Sequence, residues 1–215
     1  MRRPGETFSQ MKPSQIPRKF KSLSEVKSLE IRDKLGLKSI VACPARSVAD
    51  LYGTIVTPLQ CLPGIVKDGL QDHFPDSDKI DNCIALLSSR DCGFSAVAAV
   101  VGPYKIILYN ANNSPARQES DIMHEMAHII CEHQGDCLQL NADIGLRKYD
   151  TQCEEEAKWL GAALQIPEKG LLELAKAGYT NEEIAITYGA SVQMAIYRRR
   201  VLAIDRRLSY IRAKK

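Results

Sequence analysis

Five consecutive residues, His124-Glu125-Met126-Ala127-His128, constrain this chain more than any other feature. They lie in a helical stretch from about Ala116 to His133 whose apolar residues, Ile122, Met123, Met126, Ala127, Ile129 and Ile130, fall on several sides. A helix apolar on several sides is buried in its middle. Two imidazoles and a carboxylate are expensive to bury there without partners. Residues four apart share one helical face, with Cβ atoms about 5–6 Å apart, so His124 and His128 can hold one tetrahedral Zn2+ between them. Glu125 then projects beside the ion and can take a proton from a metal-bound water, whose pKa falls toward about 7. The plainer alternative, two satisfied surface histidines, fits poorly with the apolar neighbours.

A catalytic zinc needs a third protein ligand and an open position. His133 is nearest, but five residues past His128 it stands about 140° off the shared face of a continuous helix. It also misses the H-E-x-x-H-x-x-G-x-x-H spacing by one residue and lacks the Gly, so it reads as helix-end structure. Cys131 is nearer the right face and stays as a minor alternative. The acidic run Glu154-Glu155-Glu156 is better placed. In the helix that follows, Ala157, Gly161 and Leu164 form a stripe of small and apolar residues, and Glu154 falls on that stripe. A carboxylate on the packed face of a second helix suits a zinc site, which makes Glu154 the candidate third ligand. The competing role is a capping box, Thr151-Gln152-Cys153-Glu154, with Glu154 bonded to the Thr151 amide. The expectation is one zinc per chain, held by His124, His128 and Glu154, with Glu125 as base.

The rest of the chain frames that site. Its hydrophobic fraction of 45 % and charged fraction of 26 % are those of an ordinary globular protein. Six Lys or Arg and one acid occupy residues 1–21, and eight Lys or Arg and one acid occupy residues 198–215. Between these basic ends the chain is acidic. Seven Cys, an odd number without a CxxC pair, do not form the framework of a small secreted domain. No apolar stretch follows the charges of the N-terminus, so no signal peptide is read there. The most apolar run, Phe94 to Tyr109, is interrupted by Gly102-Pro103 and Lys105 and is too short to span a bilayer. A cytoplasmic protein without membrane association is the expectation.

Three regions follow: a flexible basic tail over 1–21, a globular domain over 22–167, and a helical segment over 168–215 with a basic end. Within the domain, helices are expected at Ser24 to Leu35 and Ser47 to Tyr52, and a strand around Ile55 to Thr57. Residues 58–80, with Pro58, Pro63, Gly64, Gly69 and Pro75, read as loop. Ala96 to Val101 and Tyr104 to Tyr109 read as a β-hairpin. A helix is expected from Asp150 or Thr151 to just before Pro167, and another from Leu171 to Ala177. Thr180 to Ala185 then leads to a turn at Gly189, and Ser191 opens the last helix.

Three blocks give the sequence a resemblance to metallo-endopeptidases of the IrrE and ImmA type. The first is Tyr104-Lys105-Ile106-Ile107-Leu108-Tyr109 leading through Arg117 into His124-Glu125-Met126-Ala127-His128. The second is Glu154-Glu155-Glu156-Ala157-Lys158-Trp159-Leu160-Gly161-Ala162-Ala163-Leu164-Gln165-Ile166-Pro167. The third is Ile184 to Ser191 with Tyr197-Arg198-Arg199. The resemblance spans about residues 45–205, with Leu160 in place of the usual aromatic residue and Gly161 in place of Ala. It implies an α+β fold, a zincin-like domain whose short sheet packs on the active-site helix, with a C-terminal helix-turn-helix-like segment. It also implies Glu154 as third ligand and a helix-turn-helix transcriptional repressor as protein substrate. Two other classes stay open. One is a DNA-binding regulator using Asn181 to Arg200 and the basic end on phosphates, with a non-catalytic metal site. The other is an inactive interaction module that keeps the fold.

Overall fold

The computed structural model describes residues 17–61, 85, 93–101, 104–133, 138–139 and 150–214. Most of the loop expected over 58–80 and the Gly102-Pro103 turn lie outside the described residues. In chain order the elements are α1 (Arg18–Lys34), α2 (Ala45–Leu51), β1 (Thr54–Pro58), a 3-10 turn (Leu59–Cys61), β2 (Ala96–Val101), β3 (Tyr104–Tyr109) and α3 (Pro115–Ile130). There follow β4 (Leu138–Gln139), α4 (Thr151–Gln165), α5 (Glu168–Lys176), α6 (Asn181–Tyr188), α7 (Val192–Val201) and α8 (Ile204–Ala213). The fold is α+β.

The expected hairpin is present, with β2 and β3 antiparallel and Ala98 opposite Ile107. β1 joins β3 in parallel, and β4 joins the far side of β2, giving the order β1-β3-β2-β4. α3 crosses this sheet and packs most extensively on α4, behind which lies α1. Ile107 and Tyr109 of the sheet, Ile122, Met123, Met126 and Ala127 of α3, Ala157, Leu160 and Leu164 of α4, and Ile31 of α1 make one core. Each fully buried Ile, Leu or Met side chain among them contributes about 1.5–3 kcal/mol. A second core gathers α5 to α8 around Ala162 and Ile166, so α4 serves both.

α1 begins at Arg18, inside the span that composition assigns to a flexible tail. Its Lys21 ammonium lies 4.5 Å from the centre of the buried Trp159 ring, and Ser24, Ser28, Ile31 and Arg32 are buried. These contacts outweigh the polar composition. The main task of α1 is to satisfy carbonyls at the end of α4, which have no partner within their own helix. Ser28 donates to Ala163 O at 2.7 Å, and the Arg32 guanidinium to Leu164 O and Gln165 O, each at 3.0 Å. From the other side Arg198 of α7 donates to Ile166 O at 2.8 Å and pairs with Glu25 of α1. The C-terminal end of α4 is thereby fastened to both cores.

Along α4 the contact with α3 is unusually close. A Cβ at Gly161 would lie 3.2 Å from Met123 O and 3.3 Å from His124 Cα. Glycine here allows backbone-to-backbone packing at the turn of α3 that carries His124. The branched side chain of Gly161→Val would force the helices apart. In urea unfolding this variant should lose about 1–3 kcal/mol, the usual cost of overpacking. Unchanged stability would show that the helices are not in contact at this point.

Candidate metal centre

α3 starts where its sequence provides a start, with Ser114 at the N-cap and Pro115 in the first turn, where a missing N–H costs nothing. Arg117 fastens that turn by donating to the buried Asp121 at 2.8 Å and to Ser95 Oγ, just ahead of β2, at 2.8 Å. One turn further on, His124 and His128 face the same way. Their Nε2 atoms are 3.3 Å apart.

α4 brings Glu154 to them. Oε2 of Glu154 is 3.3 Å from His124 Nε2, and Oε1 is 3.6 Å from His128 Nε2. The three residues each offer a ligand atom, all within 4.8 Å of one another. Atoms about 2.0–2.1 Å from a tetrahedral zinc stand about 3.3–3.4 Å apart. The separation of the two histidines and that of His124 from Glu154 match this spacing, and the donor set, two imidazole nitrogens and a carboxylate, suits such an ion. Glu154 is not the cap of its helix. Asp150 takes that place and accepts from the amides of Gln152 and Cys153. Glu154 lies in the first turn, where the helix dipole favours negative charge. Glu155 points elsewhere, toward Lys158 at 3.5 Å.

Glu125 faces the sheet instead of α4. It is 4 % exposed, and the amide of Ala98 in β2 donates to its Oε2 at 3.0 Å. A strand amide thus orients the carboxylate that lies between the two histidines in sequence. Cys131 is outside the cluster. Burial, with Glu156 and Cys153 nearby, pushes its thiol up to about 12, so without a metal it stays protonated at neutral pH.

His133 departs most from the sequence reading. α3 stops at Ile130, and Glu132 adopts a left-handed φ of 53°. The Glu132 amide bonds Ile129 O and the His133 amide bonds His128 O, each at 3.2 Å, which is a Schellman ending. The chain therefore folds back, and His133 Nδ1 comes to 3.0 Å from His128 Nδ1. The 140° offset held only for a helix that continued. Glycine is the usual residue at such an ending, and with glutamate in its place the sequence carried no signal of the reversal.

In the C-terminal segment, α6 is capped by Thr180 with Glu183, Gly189 turns at φ 62°, and Ser191 caps α7. Of the basic run on α7, Arg198 is buried with Glu25 and Ile166 O, and Arg199 bonds Asn181 and Asp205. These two arginines hold the helices together instead of facing outward for phosphates. Among the described residues no helix is long and apolar enough to cross a membrane.

No curated protein matches the sequence significantly. Residues 88–200 match the peptidase family described as the IrrE N-terminal-like domain. The matched stretch takes in both strands of the hairpin, the two histidines, Glu125 and Glu154, and it exceeds half of the chain. With a cluster that could hold a metal ion inside that stretch, the chain belongs to the family of peptidases with an IrrE N-terminal-like domain.

Proposed function

We propose that the protein is a zinc-dependent endopeptidase of the cytoplasm that makes limited cuts in a helix-turn-helix transcriptional repressor. The observation that carries the catalytic part is the convergence of His124 Nε2, His128 Nε2 and the Glu154 carboxylate, with ligand atoms within 4.8 Å of one another. In this reading His124, His128 and Glu154 hold one Zn2+, which when bound polarises a water and the scissile carbonyl. Glu125, oriented by the Ala98 amide, takes the proton of the attacking water and returns it to the leaving amine. Membership of a peptidase family supports a protein substrate. The repressor follows from the resemblance, and docking outside the site would let remote contacts place one bond for attack.

Metal analysis of the purified wild type should give one zinc per chain, and His124→Ala or Glu154→Ala should lose nearly all of it. Full zinc in Glu154→Ala, with loss in Glu155→Ala, would move the third ligand by one residue. Glu125→Gln preserves shape and removes the base. It should keep its zinc and hydrolyse no peptide bond, and activity within a few-fold of wild type would sink this mechanism.

Substrate scope is tested separately. Incubated with a helix-turn-helix repressor encoded beside it, the protein should yield one or two discrete fragments and leave casein largely intact. Rapid digestion of casein, with no preference for the repressor, would contradict the proposed substrate.

A further inference from the structure

The reversal at Glu132 places a second imidazole directly behind His128, α4 brings a second carboxylate to that imidazole, and no step of the proposed reaction uses either. His133 Nδ1 faces His128 Nδ1 at 3.0 Å, and His133 Nε2 faces Glu156 Oε2 at 3.1 Å. The other oxygen of Glu156 accepts from the side-chain amide of Gln152 at 2.9 Å. The chain is well shielded from water, with the side chains of His128, His133 and Glu156 only 4 %, 6 % and 16 % exposed. His124 has nothing comparable. Its Nδ1 is buried and has no hydrogen-bond partner among the described residues.

We propose that His133 and Glu156 are positioning residues that set the tautomer and orientation of His128 for metal binding. The proposal rests on the metal reading given above. Its logic starts at the carboxylate. An ionised Glu156 only accepts, so His133 must carry its proton on Nε2. With His133 neutral, as it is above the usual histidine range, its Nδ1 is then a lone pair, and His128 presents Nδ1–H to it. That leaves the His128 Nε2 lone pair pointing at His124 and Glu154, as a metal ligand requires. The opposite arrangement would set a lone pair of His133 against the carboxylate and a proton of His128 into the metal position. The negative charge at the far end also makes His128 a stronger donor, as outer partners of metal-bound histidines commonly do.

Zinc affinity by chelator competition, with apo-protein melting as the folding control, separates this role from simple packing. His133→Ala and Glu156→Ala should each bind zinc about 10–100-fold more weakly than wild type. Glu156→Gln, which keeps the shape of the side chain, decides the matter if an alanine variant does not fold, and it should also lose affinity. In the zinc-free wild type at about pH 8, above the usual histidine range, imidazole nitrogen NMR should find the His128 proton on Nδ1. Folded variants within about threefold of wild-type affinity, or a His128 proton on Nε2, would overturn the proposal while leaving the metal site standing. A wild type that binds no zinc would overturn the metal reading and this one with it.

Discussion

The structure turns on one close approach, the backbone of α4 at Gly161 against the backbone of α3 at Met123 and His124. A helix pair held apart by ordinary side chains would keep the Glu154 carboxylate away from the imidazoles. Here the Ala157 and Gly161 stripe removes the spacer, and two turns before Gly161 the Glu154 carboxylate arrives 3.3 Å from His124. The same stripe therefore serves packing and chemistry. It also accounts for what lies behind α4. A helix pressed that closely against another must be fixed at its far end, and Ser28, Arg32 and Arg198 do this by taking the carbonyls of residues 163–166.

Those fastenings change the meaning of the basic residues. Arg198 and Arg199 stand in a run that suits a nucleic-acid surface, yet they bond Glu25, Ile166 O, Asn181 and Asp205. The helix-turn-helix-like pair is built into the second core, and Tyr188 donates from it to Ser39 O, which ties it to the loop after α1. This segment supports α4, and through α4 it supports the site.

Much of this was legible from the residues, and the rest fails for identifiable reasons. The HExxH spacing, the two apolar runs of the hairpin and the helix start at Ser191 are local signals, and local structure follows them. Glu154 could be singled out because helical register alone places it with Ala157 and Gly161. Its capping alternative failed because Asp150 took the cap, a choice between two adjacent acceptors that propensity does not resolve. His133 was hidden because its position depends on a left-handed Glu132, a conformation sequence associates with glycine. The helical start at Arg18 and the internal use of Arg198 depend on partners more than a hundred residues away, such as Trp159 and Glu25. No local window contains such information.

In the proposed site two imidazoles and one carboxylate, without sulfur, hold a single zinc ion. X-ray absorption at the zinc edge of the zinc-loaded wild type tests this most directly. The account predicts a shell of nitrogen and oxygen at about 2.0–2.1 Å with the outer scattering of two imidazoles. A sulfur shell at about 2.3 Å, placing a cysteine such as Cys131 on the metal, would contradict it.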